Sequence, residues 1–298
     1  MRLCQTIFGF LALALACAAG TAAAAGPAVA PAGKPIVMGR TLTIQSKALG
    51  EARTINVWLP PGYAKGKQAY PVLYVIDGGL DQDFLHVVGV AQLGMIWGRN
   101  LEAIVVGIET KDRRKELVGP TRDAELLRKY PTAGKSAQFR SFIRDEVKPL
   151  VKRSFRIGGH DVVVGESLAG LFIVETWLRE PGLFDGYGAI SPSLWWDGEA
   201  LSREIAALPA ERMVRQPRIY LNIANEGAEM QSGVDRVVAA LSPVLDWCYA
   251  PRPDLTHATI YQQSEAAVIQ FLLPSPYAIE TEGFELKCAN RAPRAADK

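Results

Sequence analysis

Ser167 lies in the run Gly165-Glu-Ser-Leu-Ala169, with one small residue two places before it and another two places after. A hydroxyl in that setting can be held up on a sharp turn between a strand and a helix, exposed for nucleophilic attack. The flanks fit such a turn. Val162, Val163 and Val164 form a β-branched run of the kind buried on both faces of a sheet. Beyond the serine, Leu168, Leu171, Phe172 and Trp177 recur at roughly helical spacing. A helix starting there directs free N–H groups and partial positive charge toward a developing oxyanion. The five-residue pattern alone arises by chance in long chains; the strand before it and the helix after it give it weight. Ala169 stands where a second glycine is commoner, and a methyl group still fits there.

A serine nucleophile needs a base, and the chain has three histidines. On an elbow of this kind the acid and then the histidine follow the serine in chain order, which singles out His257. His160 precedes the elbow strand at its wrong end and reads as a surface or capping residue. His86 follows Gly78-Gly79 and reads as a pocket-lining residue or one satisfied by local hydrogen bonds. The histidines are scattered, with no paired acidic or thiolate spacing, so the expectation is no metal and no cofactor. His257 is placed in a loop, Leu255 to Tyr261, just before the last helix. The acid that orients it should leave the strand Arg218 to Ile223, making Glu226 the first choice and Glu229 the second. Asp254 reads as solvated, and a bare Ser-His dyad stays open. For the oxyanion hole, one N–H is assigned to Leu168 and the other to Gly79, in the turn after the strand ending at Asp77.

The elements that must position these groups alternate as in an α/β protein. Arg40 to Gln45 and Thr54 to Leu59 read as an antiparallel hairpin around Gly50. Pro71 to Asp77, Leu101 to Ile108, the elbow strand, Gly186 to Ile190 and Arg218 to Ile223 read as further strands. Helices are expected over Gln138 to Val151, after the elbow, over Val234 to Trp247 and over Ser264 to Leu273. Such alternation implies a mostly parallel central sheet with helices on both faces. The 298 residues suit one large domain, placed at 40–275. With 33 basic and 31 acidic residues and no basic block, nothing suggests nucleic acid or an anionic membrane surface as partner.

Residues 1–25 read as a signal peptide: Met1-Arg2, an apolar run from Ile7 to Ala19, then small residues Ala22 to Ala25. That run is short for a membrane span, so no stable membrane insertion is expected after cleavage. A periplasmic or secreted protein follows, with lipidation at Cys17 as the lesser alternative. Residues 26–39 read as a disordered leader and 276–298 as a tail wrapping the surface. Cleavage leaves Cys248 and Cys288, which pair in an oxidising compartment or remain two buried thiols.

Five segments then occur in order: Trp58-Leu-Pro-Pro-Gly-Tyr63, Tyr70 to Gly78, Ala103 to Ile108, Gly165 to Gly170 and Ile190-Ser-Pro-Ser-Leu-Trp-Trp-Asp197. Together they resemble the putative-esterase family of α/β-hydrolases, which includes esterase D, feruloyl esterases and ferric enterobactin esterases. Ser-Pro-Ser-Leu-Trp-Trp looks most like the siderophore-hydrolase branch. The resemblance covers roughly Thr41 to Leu273 and implies an α/β-hydrolase fold and serine carboxylesterase chemistry, with Ser167 and His257 in the matching positions.

The leading expectation is an exported serine carboxylesterase working through an acyl-enzyme on small-molecule esters that are aromatic or siderophore-like. An acyltransferase on the same fold and a binding module that keeps the elbow without turnover are the alternatives. Trp195 and Trp196, taken as an extended pair, should point opposite ways, so that one faces the cleft and stacks on an aromatic acyl group. Arg113 or Arg114 would pair with an anionic or catecholate-bearing ligand.

Overall fold

Eight strands form one sheet in the order β1-β2-β4-β3-β5-β6-β7-β8. The computed structural model describes residues 33–241, 244, 246–276 and 286–290. The expected signal peptide, half of the leader and most of the tail lie outside these residues. The chain divides into units 1–37 and 38–298; in the first, 33–37 are described and have no regular secondary structure. The strands are β1 (Arg40–Gln45), β2 (Ala52–Trp58), β3 (Tyr70–Ile76), β4 (Ile104–Ile108), β5 (Ile157–Glu166), β6 (Gly186–Ile190), β7 (Arg218–Asn222) and β8 (Trp247–Tyr249). The helices are α1 (Phe84–Ile96), α2 (Arg113–Glu116), α3 (Ala124–Lys129), α4 (Ser136–Phe142), α5 (Lys148–Ser154), α6 (Leu168–Arg179), α7 (Trp196–Ala206), α8 (Ala210–Met213), α9 (Ala228–Ala240) and α10 (His257–Leu272). A π-helical stretch, Ile143–Val147, joins α4 to α5. β1 and β2 are antiparallel, and every pairing from β4 through β3 to β8 is parallel.

The central strands read as unbroken apolar runs because both faces are covered. Val163 of β5 and Val72, Tyr74 and Ile76 of β3 face a layer that includes Phe139, Phe172 and Trp177. Val162 and Val164, with Leu73 and Val75, face the opposite layer of α1 and α10, including Val87, Val88, Val268 and Phe271. One expected helix differs, and an unexpected strand takes its end. The helix expected over Val234 to Trp247 instead spans Ala228–Ala240, ending before Pro243, whose missing N–H cannot continue it. Trp247 begins the edge strand β8 rather than ending that helix. Cys248 on β8 is disulfide-bonded to Cys288, with the Cα atoms 5.1 Å apart.

A buried ion pair ties the sheet to the segment that supplies the site's cations. Arg53 of β2, its side chain 0% exposed, meets both carboxylate oxygens of Glu116 on α2 at 2.6 and 2.9 Å. It also donates to the Glu109 carbonyl at 2.6 Å, and the rings of Phe139 and Phe142 flank it. Glu116 closes the four-residue helix that begins at Arg113. Removing one partner of such a pair strands a buried charge, which costs about 3–5 kcal/mol. Glu51 also meets Arg53 at 2.8 Å, so Glu116→Ala is expected to lower the unfolding free energy by less than that, about 1–3 kcal/mol, in a denaturant titration. A loss within experimental error of zero would show that Arg53 is satisfied without it.

Candidate active site

Glycine is required where the elbow strand meets its helix. A Cβ on Gly165 would lie 2.7 Å from the Cβ of Ala169, and one on Gly170 would lie 2.9 Å from the Ile190 carbonyl. Small residues therefore let α6 rise directly from β5 beside β6, and Ala169 fits because Gly165 faces it. Ser167 sits in the turn with φ 62° and ψ −116°, a conformation costing a non-glycine residue of order 1–3 kcal/mol. Three backbone hydrogen bonds hold it there: its N–H donates to Ile190 O at 3.0 Å, and its carbonyl accepts from Leu171 at 2.9 Å and Ser193 at 3.0 Å.

His257 is the first residue of α10, not a loop residue before it, because Thr256 caps the helix through a box with Thr259. That start aims its ring back over the elbow. Nε2 lies 3.0 Å from Ser167 Oγ, and Nδ1 lies 2.9 Å from Glu226 Oε2. Glu226, in the loop after β7, has a side chain only 4% exposed. Its other oxygen accepts from the Ser191 hydroxyl and, at 3.3 Å, from the Ala224 N–H. Burial alone would raise the Glu226 carboxyl, but hydrogen bonds from His257 and Ser191 outweigh it and hold the group below its ordinary value. His257 is in turn raised, chiefly by its hydrogen bond to Glu226, against the effect of burial.

The other candidates divide. Glu229 is exposed in the first turn of α9, and Asp254 pairs with Arg252 at the surface; neither meets His257. His160 is exposed near Asp185 on β5, and His86 packs on Tyr261 within the α1–α10 layer, away from the cleft. Leu168 lines the cleft, and as the first residue of α6 its N–H has no partner inside the helix. Gly79 does not join it: its N–H donates to the Gln82 side chain at 2.9 Å, a capture by a neighbour three residues on. Two serines passed over by the sequence reading stand in the site. Ser191 holds Glu226, and Ser193 Oγ lies 3.3 Å from Ser167 Oγ. The signal for both was Ser191-Pro-Ser193 itself, part of a segment read above for its family resemblance and its tryptophans but not for its hydroxyls.

The cleft has a volume of about 390 Å³ and is lined by Arg113, Arg114, Ser167, Leu168, Trp195, Met230 and His257 among others. Arg113 is fixed by Asp77 at 2.9 Å, and Arg114 lies over the Tyr130 ring at 4.7 Å. The two tryptophans separate, though not for the reason expected. The segment is a turn entering α7, with Trp195 at φ −68° and ψ −20° rather than extended. Trp195 faces the cleft; Trp196 is buried, its indole N–H donating to Gly119 O at 3.1 Å.

A family model described as "Putative esterase" matches residues 46–242. The ferri-bacillibactin esterase BesA of Bacillus subtilis is 30% identical over 168 residues, covering 49% of this chain and 56% of that protein. The chain thus spans little more than half of that relative's length. A siderophore triacetylfusarinine C esterase of Aspergillus fumigatus is 27% identical over 163 residues, covering 50% of this chain and 53% of that one. Among solved structures, an IroE-like serine hydrolase from Shewanella oneidensis superposes with a TM-score of 0.68 at 25% identity, covering 79% and 80% of the two chains. The BES protein from Bacillus cereus gives a TM-score of 0.71 at 21% identity, over 84% and 100%. The architecture is that of an α/β-hydrolase.

Replacing Glu226 by Gln keeps the shape but removes the charge that steadies His257. Labelling of Ser167 by a fluorophosphonate is expected to slow by about a hundredfold or more, and Glu229→Gln to leave it unchanged. Equal labelling of wild type and Glu226→Gln would reduce the site to a Ser-His dyad.

Proposed function

Because this chain belongs to the Putative esterase family, we propose that it is a serine carboxylesterase acting through an acyl-enzyme on esters with an aromatic acyl group. The observation that carries the reading is the hydrogen-bonded series Ser167 Oγ, His257 Nε2, His257 Nδ1 and Glu226 Oε2, with spacings of 3.0 and 2.9 Å. In this reading His257 Nε2 takes the Ser167 proton as Oγ attacks the ester carbonyl carbon. The Leu168 N–H and the positive end of α6 stabilise the oxyanion. Collapse of the tetrahedral intermediate breaks the bond to the leaving alcohol, which receives the proton from Nε2. Water then repeats the sequence on the acyl-enzyme, releasing the acid and restoring Ser167. Glu226 keeps the ring oriented and balances the imidazolium in both halves without taking a proton.

The substrate class rests on the cleft wall. Trp195 offers an aromatic face beside the nucleophile, and Arg113 and Arg114 offer cations for an anionic or catecholate-bearing acyl group. The relatives described as a ferri-bacillibactin esterase and a siderophore triacetylfusarinine C esterase support a siderophore-like ester as substrate. Export to an oxidising compartment is part of the proposal, supported by the signal-peptide pattern of residues 1–25 and the Cys248–Cys288 disulfide.

Ser167→Ala is expected to lower kcat for an aryl ester by about a thousandfold or more with unchanged unfolding behaviour. Near-wild-type turnover by the purified variant would refute the nucleophile assignment. For selectivity, kcat/KM is to be compared between a catecholate ester and a short alkyl ester. Trp195→Ala should narrow the preference for the catecholate, whereas Trp196→Ala should instead destabilise the fold by about 3–5 kcal/mol. A better alkyl substrate, or a ratio untouched by Trp195→Ala, would rule out the aromatic pocket.

A further inference from the structure

Glu166, the residue before the nucleophile, has no evident place in the triad, yet its Oε1 lies 3.3 Å from the same Nε2 of His257 that meets Ser167. Its side chain is 17% exposed, and the contact with His257 is its one ion pair among the described residues. The surroundings do not otherwise invite a carboxylate. Asp83 before α1 and Glu226 after β7 add like charge, while Arg113 and His257 offset it. Arg113 is itself engaged by Asp77, and its second contact here is with the Glu166 backbone carbonyl at 3.4 Å. Tyr261, one turn beyond His257 on α10, lies half-buried nearby. An apolar residue would fill this half-enclosed position without the cost of desolvating a charge.

We propose that Glu166 is a positioning residue for the proton on Nε2 of His257, a second carboxylate that strengthens the base from the side opposite Glu226. The inference rests on the esterase reading of the site. When the imidazole is neutral, Nε2 accepts from Ser167. When it takes the serine proton, Nε2–H lies between Ser167 Oγ and Glu166 Oε1, and the ionised carboxylate stabilises the imidazolium. The proton stays on nitrogen until the leaving alkoxide takes it, so Glu166 gains and loses nothing over the cycle. The same attraction stabilises the protonated resting enzyme, which holds no free base. Greater base strength therefore brings a loss of activity that begins at higher pH. Burial pushes the Glu166 carboxyl up to about 7, against the pull of His257 and Arg113. The two groups thus titrate as a pair rather than singly.

The test compares wild type, Glu166→Gln and Glu166→Asp by two readouts. The first is the titration of the His257 ring by NMR, with three histidines in the chain to assign. The second is the pH profile of kcat/KM for an aryl ester. Glu166→Gln is expected to lower the His257 midpoint and the acid limb together by about one pH unit, and to reduce the plateau several-fold as the base weakens. Glu166→Asp, which keeps the charge but draws it back, should fall between the two and serves if the amide variant folds poorly. A plateau reduced with midpoint and limb unmoved would mean that Glu166 only packs, and the proposal would be lost. If wild type hydrolyses no ester, the esterase reading fails, while the His257 titration still decides whether Glu166 holds its proton.

Discussion

The left-handed turn at Ser167 is the constraint on which the rest of this site depends. It is held by bonds from three directions: Ile190 at the end of β6, Leu171 in α6, and Ser193 in the following loop. Those bonds form only because α6 can crowd against β5 and β6, and that crowding needs hydrogen or methyl at 165, 169 and 170. The strain of order 1–3 kcal/mol is thus offset by packing that runs through the centre of the sheet. One backbone conformation fixes the hydroxyl, the helix N-terminus behind it and the loop that carries Ser191 and Ser193.

Charge around that turn comes from two carboxylates on His257 and an arginine beside them. Glu226 and Glu166 approach His257 from its two ring nitrogens, at 2.9 and 3.3 Å. Arg113 stands beside Glu166, 3.4 Å from its carbonyl, tied to Asp77 and anchored through α2 to the buried Arg53–Glu116 pair. The carboxylates raise the histidine, and Arg113 opposes them. In the proposed reaction an anionic acyl group would meet Arg113, and the imidazolium formed on proton transfer would be balanced by the two carboxylates.

The segment from Ser191 to Trp196 links these parts. Ser191 orients Glu226, Ser193 holds the elbow, Trp195 forms the cleft wall and Trp196 seals the loop beneath through its bond to Gly119. Its left-handed Ser191, with φ 43°, turns the chain sharply off β6 so that successive side chains reach different targets.

The sequence by itself determined what depends on local pattern. β-branched runs between two apolar layers, the small residues around Ser167 and the helical spacing after it placed the sheet and the elbow. Chain order then singled out His257, the one histidine after the serine. Tertiary structure decided what depends on the meeting of distant segments. Glu226 rather than Glu229 faces His257, across 31 residues, because the acid sits in the loop before α9 while its neighbour points to solvent from the helix. Trp195 rather than Trp196 reaches the cleft because the chain turns into α7 there instead of running extended. Gly79 spends its N–H on Gln82, and Arg53 finds Glu116 across 63 residues, neither of which leaves a periodic trace. Periodicity records which face of an element is buried, and it carries no record of which side chains two converging loops bring within hydrogen-bond distance.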